Sequence, residues 1–395
     1  MKRNNAVFYT VFFTLTLILT SKPLFSRAQE KLSPDSVEIS LLTCSPYEMI
    51  YGLYGHTAIR VKNLCDSTDI AVNYGIFDKT KPNFILNFLL GRTDYSMAFY
   101  SLDYLVKEYG YYGSRITEHV LNLTPNEKIR ILAALEENYL PQNRFYRYNF
   151  LYDNCATRPR DIIANNIEGT IKYKSTGMQE GDKTFRDLLH WKTADYPWAT
   201  FGDDFICGVY ADKVASFEQR EFLPEVLMED FANAVIVDEQ GKTRPLVKAT
   251  NTIIEKGESQ LEPLYSFPLS PLAVSLIIFG ITLIITIFER TKLKHRIKGF
   301  DETFLMLLGL IGLLLFVMIF SQHPTVSLNL QILLFNPLFL WLAWYFGTRK
   351  WCRNTIAVML LLFFSGYLLQ AYNLSVIILA LSLSVRLYGT YYDKK

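Results

Sequence analysis

The sequence predicts an exported α+β domain followed by a five-helix transmembrane bundle. Three observations carry this. A positive start, Met1-Lys2-Arg3-Asn4-Asn5, leads into an apolar run from Ala6 to Thr20. Residues 29–262 mix polar and apolar types, as a water-facing domain does. After Pro271 the chain turns almost wholly apolar, and Lys and Arg gather in alternate loops.

The N-terminal run reads as a signal peptide over 1–28, with a small-residue exit near Ser26-Arg27-Ala28. An uncleaved anchor would export the next segment equally. The chain has 395 residues, half of them hydrophobic, and a net charge of +2. A charge so near neutral speaks against nucleic acid as a partner.

In the exported region, Ile39–Thr43, Thr57–Lys62 and Ala71–Phe77 read as strands. Phe84 to Tyr112 is unusually aromatic. It is read either as core packing or as a surface against the membrane, since Tyr suits boundaries that are apolar on one side and wet on the other. Thr124-Pro125-Asn126-Glu127 is a capping box with Pro at the first helical position, so a helix runs on to about Asn138. Gly181–Trp191 and Pro224–Ala232 are further helices. Val235–Val237 and Arg244–Val247 form a hairpin. Prolines 263, 268 and 271 mark a linker over 263–271.

Five spans follow within 272–395: 272–288, 303–320, 330–346, 355–369 and 372–388. Arg290, Lys292, Lys294, Arg296 and Lys298 crowd the first loop; Arg349, Lys350 and Arg353 crowd the third. The second loop, 321–329, and the fourth, at Ala371-Tyr372, hold no Lys or Arg, and the tail ends Asp393-Lys394-Lys395. The positive-inside rule puts the first and third loops and the tail in the cytoplasm. The first span then starts outside, as an exported domain requires.

The stretch that draws chemistry is Tyr148-Asn149-Phe150-Leu151-Tyr152-Asp153-Asn154-Cys155 running into Ala156-Thr157-Arg158-Pro159. It reads as an aromatic strand that breaks at Asp153-Asn154 and enters a helix. Asn and Asp cap helices, and Pro159 fits only a first turn, so the helix starts at or just after Cys155. A thiol there feels the positive end of the dipole, which favours thiolate. The competing reading is a small buried hydrophobe.

A thiolate nucleophile needs a base. The exported region offers His56, His119 and His190. His56 follows Gly55 and opens a strand. His119 lies in a polar–apolar alternation and reads as a solvated strand residue. His190 sits near a helix end, where capping accounts for it. His56 is therefore the expected partner, and Asn73 the expected group that orients its ring, with Asp78 just beyond. The Cys155 amide is the expected oxyanion donor. Cys44, Cys65 and Cys207 leave room for one disulfide, and Cys44 with Cys65 would bracket His56. No Cys-x-x-Cys or His-x-x-x-His pattern supports a metal, no phosphate-binding or dinucleotide loop supports a cofactor, and there is no Gly-x-Ser-x-Gly elbow.

Gly55-His56-Thr57-Ala58-Ile59-Arg60, Asn73-Tyr74-Gly75-Ile76-Phe77 and Tyr146-Arg147-Tyr148-Asn149-Phe150 with Asp153 to Arg158 resemble the exported domain of the Lnb-type lipoprotein N-acyltransferases of Bacteroidota. His323-Pro324, Asn329 and Asn336-Pro337 extend the resemblance into the membrane part. It implies a circularly permuted papain-like fold, akin to the NlpC/P60 and lecithin–retinol acyltransferase groups, with the His strand before the Cys helix. It implies an enzyme of the inner membrane with its catalytic domain in the periplasm. Cys155 would carry an acyl group from a phospholipid to the amino group of a diacylated lipoprotein, with His56 as base and no cofactor. Arg60, Asn154, Arg158 and His323 are the expected substrate contacts; for His323 the competing reading is a headgroup-level residue before a turn. Two other functions stay open: a membrane-anchored thiol hydrolase acting on phospholipids or wall peptides, and a binding module with an inert Cys155.

Overall fold

The computed structural model describes residues 34–174, 183–264, 267–293 and 295–392. The expected signal peptide, Lys294 and the last three residues lie outside these.

Strands β1 (Val37–Cys44), β2 (His56–Asn63), β3 (Asp69–Ile76), β4 (Asp94–Ser101), β5 (Ile116–Leu121), β6 (Phe145–Arg147) and β10 (Val247–Ile254) form one antiparallel sheet, ordered β10-β5-β1-β2-β3-β4-β6. β7 (Thr170–Lys172), β8 (Val235–Val237) and β9 (Thr243–Pro245) form a second, smaller sheet that contains the expected hairpin.

Between the strands run helices α1 (Phe84–Leu89), α2 (Leu102–Tyr111), α3 (Pro125–Tyr139), α4 (Thr157–Ala164), α5 (Phe185–Thr193), α6 (Pro197–Ile206) and α7 (Pro224–Asn233). Successive strand side chains face opposite ways. Ile39, Leu41, Ile59 and Val72 pack on one face with Ile131 and Leu135 of α3, Ile163 of α4 and Leu227 and Phe231 of α7. Leu42, Cys44, Ala58 and Ala71 pack on the other with Leu102, Leu105 and Tyr109 of α2. The capping box of α3 forms: Thr124 Oγ1 accepts from the Glu127 amide at 3.2 Å, and Glu127 Oε2 from the Thr124 amide at 2.7 Å.

Three expectations for this domain are corrected. The strand before Cys155 ends at Arg147, and only the isolated Asn149–Asp153 bridge continues it. His119 is 4% exposed, because β5 is flanked by both β1 and β10 and its alternate faces are covered. Cys44 and Cys65 are both free. The register sets Cys44 opposite His56 and Val37 opposite Asn63. Cys65, beyond Asn63, is therefore a full strand away, roughly 25 Å at the usual rise per residue.

Among the described residues, the membrane region holds four longer helices, α8 (Pro271–Phe288), α9 (Lys298–Met318), α10 (Lys350–Gly366) and α11 (Leu374–Tyr392). Among the described residues, two helical stretches, Pro271–Leu293 and Lys298–Met318, are long and apolar enough to cross a membrane. The expected third span, 330–346, is not one helix. It is broken into short turns at Leu330–Leu333, Phe339–Leu342 and Ala343–Tyr345. Pro337 cannot donate to a helical ladder, and the Asn336 side chain takes the Leu338 amide instead, at 3.0 Å. Arg386 of α11 donates to Glu289 at 2.7 Å and Asp301 at 2.5 Å, tying three helices with paired buried charges.

The exported domain is seated on the two loops that lack Lys and Arg. Asn329 Nδ2 donates to Phe205 O at 2.8 Å, and Gln331 Nε2 to Asp204 O at 2.7 Å. Gln370 Nε2 donates to Cys207 O at 3.1 Å, and Asn373 Nδ2 to Asp204 Oδ2 at 2.9 Å. The end of α6 is thus gripped by side-chain amides. At the opposite edge, Ser321 Oγ donates to Leu89 O at 2.6 Å.

Candidate active site

Cys155 lies just before the first residue of α4, Thr157. Asn154 builds this turn. Its Oδ1 accepts from the amides of Ala156 at 2.8 Å and Thr157 at 3.0 Å, and its Nδ2 donates to Phe150 O and Phe222 O. Those bonds use up the amides after Cys155. The Cys155 and Thr57 amides instead point at the sulfur and favour its negative form.

β2 delivers His56 to the same place. Its ring hydrogen-bonds the Cys155 side chain. Nε2 lies 2.9 Å from Asn73 Oδ1, which leaves Nδ1 for the thiol. β2 and β3 pair Ala58 with Asn73, so Asn73 shares the face of Ala58 and His56. The Tyr109 ring stacks on the imidazole, with centroids 6.0 Å apart. Burial disfavours both charged forms, but the mutual attraction of the pair more than offsets it. The thiol is held below its ordinary value and the imidazole above its own. A thiolate–imidazolium pair can attack a carbonyl carbon and then return a proton to a leaving group.

The structure therefore brings Cys155, His56 and Asn73 together. The other expected contacts are engaged elsewhere. Arg60 stands four residues along β2 from His56, roughly 13 Å away. Its guanidinium is held by Asp69 at 2.5 and 2.8 Å and by Glu118 at 2.7 Å. Asn154 is a structural cap. Arg158 is bound at both ends by Asp153 and lies 3.5 Å from the Tyr146 ring centroid. His323 is 3% exposed, with Nε2 3.0 Å from Phe88 O, so it stitches the loop 321–329 to α1. His190 sits 2.7 Å from Asp204 and belongs to the seat of the domain, not to the thiol. Among the described residues, no group of three or more His, Cys, Asp or Glu is arranged to hold a metal ion.

Two family models match this chain. One, the Lnb N-terminal periplasmic domain, covers residues 24–191, and the other, the Lnb transmembrane domain, covers residues 262–395. The chain belongs to the Lnb family. It is thus a lipoprotein-processing family member, a membrane protein with an exported domain. No curated protein and no solved structure matches it. The Lnb periplasmic match contains Cys155, His56 and Asn73, and the Lnb transmembrane match contains both loops that seat the domain. Between the two Lnb matches lie α6, which the loops grip, and α7 and β10, which complete the core and the sheet.

Several further residues stand around the thiol, to which the sequence alone assigned no role. Gly75, at φ +86°, is one; a Cβ there would sit 3.5 Å from that of Cys155. Tyr95 and Tyr148 are others, with rings stacked 4.0 Å apart. The thiolate charge adds to burial in pushing both hydroxyls up. The available signal was Tyr146-Arg147-Tyr148, whose alternation puts both rings on one side of β6 and its extension.

Proposed function

We propose that this Lnb protein moves a fatty acyl chain from a phospholipid, through a thioester on Cys155, to the α-amino group of a diacylated lipoprotein. The observation that carries this reading is the Cys155–His56–Asn73 arrangement, placed on a domain that rests on membrane loops. The His strand precedes the Cys helix, and we read this order as a circularly permuted papain arrangement. The loop charges favour an inner-membrane protein with its catalytic domain on the periplasmic side.

His56 takes the thiol proton, and the thiolate attacks an ester carbonyl of the phospholipid. The Cys155 amide stabilises the oxyanion. Collapse expels a lysophospholipid alkoxide, which takes the proton from the imidazolium. The lipoprotein amine then attacks the thioester. His56 accepts its proton and returns it to sulfur, so an amide forms and the free thiol is regenerated. The sequence needs no cofactor, and the membrane gathers both substrates on one surface.

The test is purified full-length protein in detergent with phospholipid alone, then with a diacylated lipopeptide. An acyl-sized mass increase on Cys155, discharged by the lipopeptide as a triacylated product, is expected. Free fatty acid with no acylated lipopeptide would instead establish a hydrolase. Full transfer activity in Cys155→Ala would exclude Cys155 as nucleophile.

A further inference from the structure

Helix α1 occupies the junction between the exported domain and the second membrane helix. The loop after α9 is bonded to its end: Gln322 N donates to Leu90 O at 2.9 Å, beside the Ser321–Leu89 bond. Yet α1 turns apolar side chains outward. Ile85 is 73% exposed and Leu86 43%. They border a surface cavity of about 510 Å³ that is also lined by Phe84, Lys79, Lys81 and, from α9, Leu314. Scattered exposed leucines need no explanation, but a contiguous apolar patch continuous with a membrane helix does.

The rim of this cavity is positive. Lys79 and Lys81 are both exposed. Asp78, the acidic neighbour, is folded onto its own turn, accepting from Thr80 N at 2.9 Å and from Thr80 Oγ1 at 2.6 Å. Ammonium groups above an apolar floor match a phosphodiester above acyl chains.

From the cavity a row of rings leads inward. Phe84 stacks on Phe77 with centroids 5.4 Å apart, Phe77 on Tyr95 at 5.0 Å, and Tyr95 on Tyr148 at 4.0 Å. Tyr95 and Tyr148 are, with Tyr109 and Tyr146, among the rings that feel the charge of Cys155. The row thus joins the membrane-level cavity to the neighbourhood of the nucleophile.

We infer that the cavity between α1 and α9 is the entry site for a membrane phospholipid. Its phosphodiester lies against Lys79 and Lys81, its tails lie on Ile85, Leu86 and Leu314, and its ester end follows the Phe84–Phe77–Tyr95 row toward Cys155. The donor enters sideways from the leaflet and never crosses water. That the ester end is the reacting end rests on the acyl-transfer reading; the docking itself does not.

The experiment uses full-length Cys155→Ala protein in nanodiscs of phosphatidylethanolamine and phosphatidylglycerol. The discs are doped with a phospholipid carrying a diazirine in one acyl chain. After irradiation, mass spectrometry is expected to find adducts between residues 77 and 95 as well as on lipid-facing membrane helices. Lys79→Gln and Lys81→Gln are each expected to lower the 77–95 adducts about fivefold, leaving those on α8 unchanged. Ile85→Ser with Leu86→Ser lowers them too, with far-ultraviolet dichroism confirming the fold. Adducts confined to the membrane helices overturn the inference. So does 77–95 labelling that ignores both lysine substitutions. The trapped variant cannot react, so labelling reports docking alone. If labelling holds while wild-type protein only hydrolyses lipid, the acyl-transfer reading fails and the entry site stands.

Discussion

His56 Nε2 lies 2.9 Å from Asn73 Oδ1, across adjacent strands of one sheet. The carboxamide oxygen can only accept, so it fixes a proton on Nε2 and favours the imidazolium. Asn73→Ala removes that support. The imidazole then loses its proton at a lower pH, while the thiol keeps less of the charge that holds it below its ordinary value. The pH at which Cys155 alkylation by iodoacetamide rises should move upward. Acyl transfer should fall by about 10²-fold, the lower end of what a positioned proton-transfer group contributes. An unchanged alkylation profile would remove Asn73 from the site.

Asn154 predicts a stability effect distinct from chemistry. Its side chain makes four bonds, two to amides and two to carbonyls. Asn154→Ala should cost about 2–4 kcal/mol from the lost cap and the unpaired carbonyls. Asn154→Asp keeps the acceptor and should recover part of this. Thermal midpoints of the three proteins in one detergent decide it.

Gly208 predicts a separation of seat from site. A Cβ at this position would lie 2.0 Å from the Leu328 carbonyl oxygen, so the two backbones approach as only glycine allows. Gly208 N donates to Thr325 O at 2.7 Å, and Val209 N to Leu328 O at 2.8 Å. Gly208→Ala should destabilise the seat by about 1–3 kcal/mol. Transfer between membrane-bound substrates should drop, while Cys155 alkylation by a small water-soluble reagent stays normal.

The same seat carries a pH dependence. Asp204 raises the His190 imidazole above its ordinary value through a 2.7 Å bond. A raised value means that the stabilisation is fully present below about pH 6.5, where the unfolded histidine is also charged, and is lost as pH rises through the folded value. The difference in thermal midpoint between wild type and His190→Gln should be largest near pH 6 and shrink toward pH 9. A difference that grows with pH would contradict it.

How much of this could be read in the chain follows from where each signal resides. Cys155 and His56 were legible because their signals are local: an Asn cap and a Pro in a first turn, and a Gly–His pair opening a strand. Four apolar helices of this region were legible because apolar runs carry their own length. The break within the expected third span was not legible, because Asn336-Pro337 sits inside a run that hydropathy alone treats as uniform. His119 misled because alternation reports two faces but not whether both are covered; His119 pairs with Leu41 and shares the face covered by α7, about a hundred residues later. Arg60 shares the face of His56, and spacing alone could not reveal the carboxylates of Asp69 and Glu118 waiting for it. The seat was invisible for the same reason, since its bonds join α6 to loops over a hundred residues away.

That seat bears on which lipoproteins the proposed reaction would serve. Four side-chain amides grip backbone and carboxylate at one end of the domain, and the Ser321 hydroxyl grips the other edge. The domain that carries the sulfur is therefore fixed to the membrane-region loops at two edges. On the proposed reaction, a lipoprotein qualifies by the depth at which its own two tails suspend its first residue. On that reading the polypeptide that follows is not interrogated. One such enzyme would then serve as a common workshop for cargo of unrelated sequence, with the bilayer acting as its measuring bench.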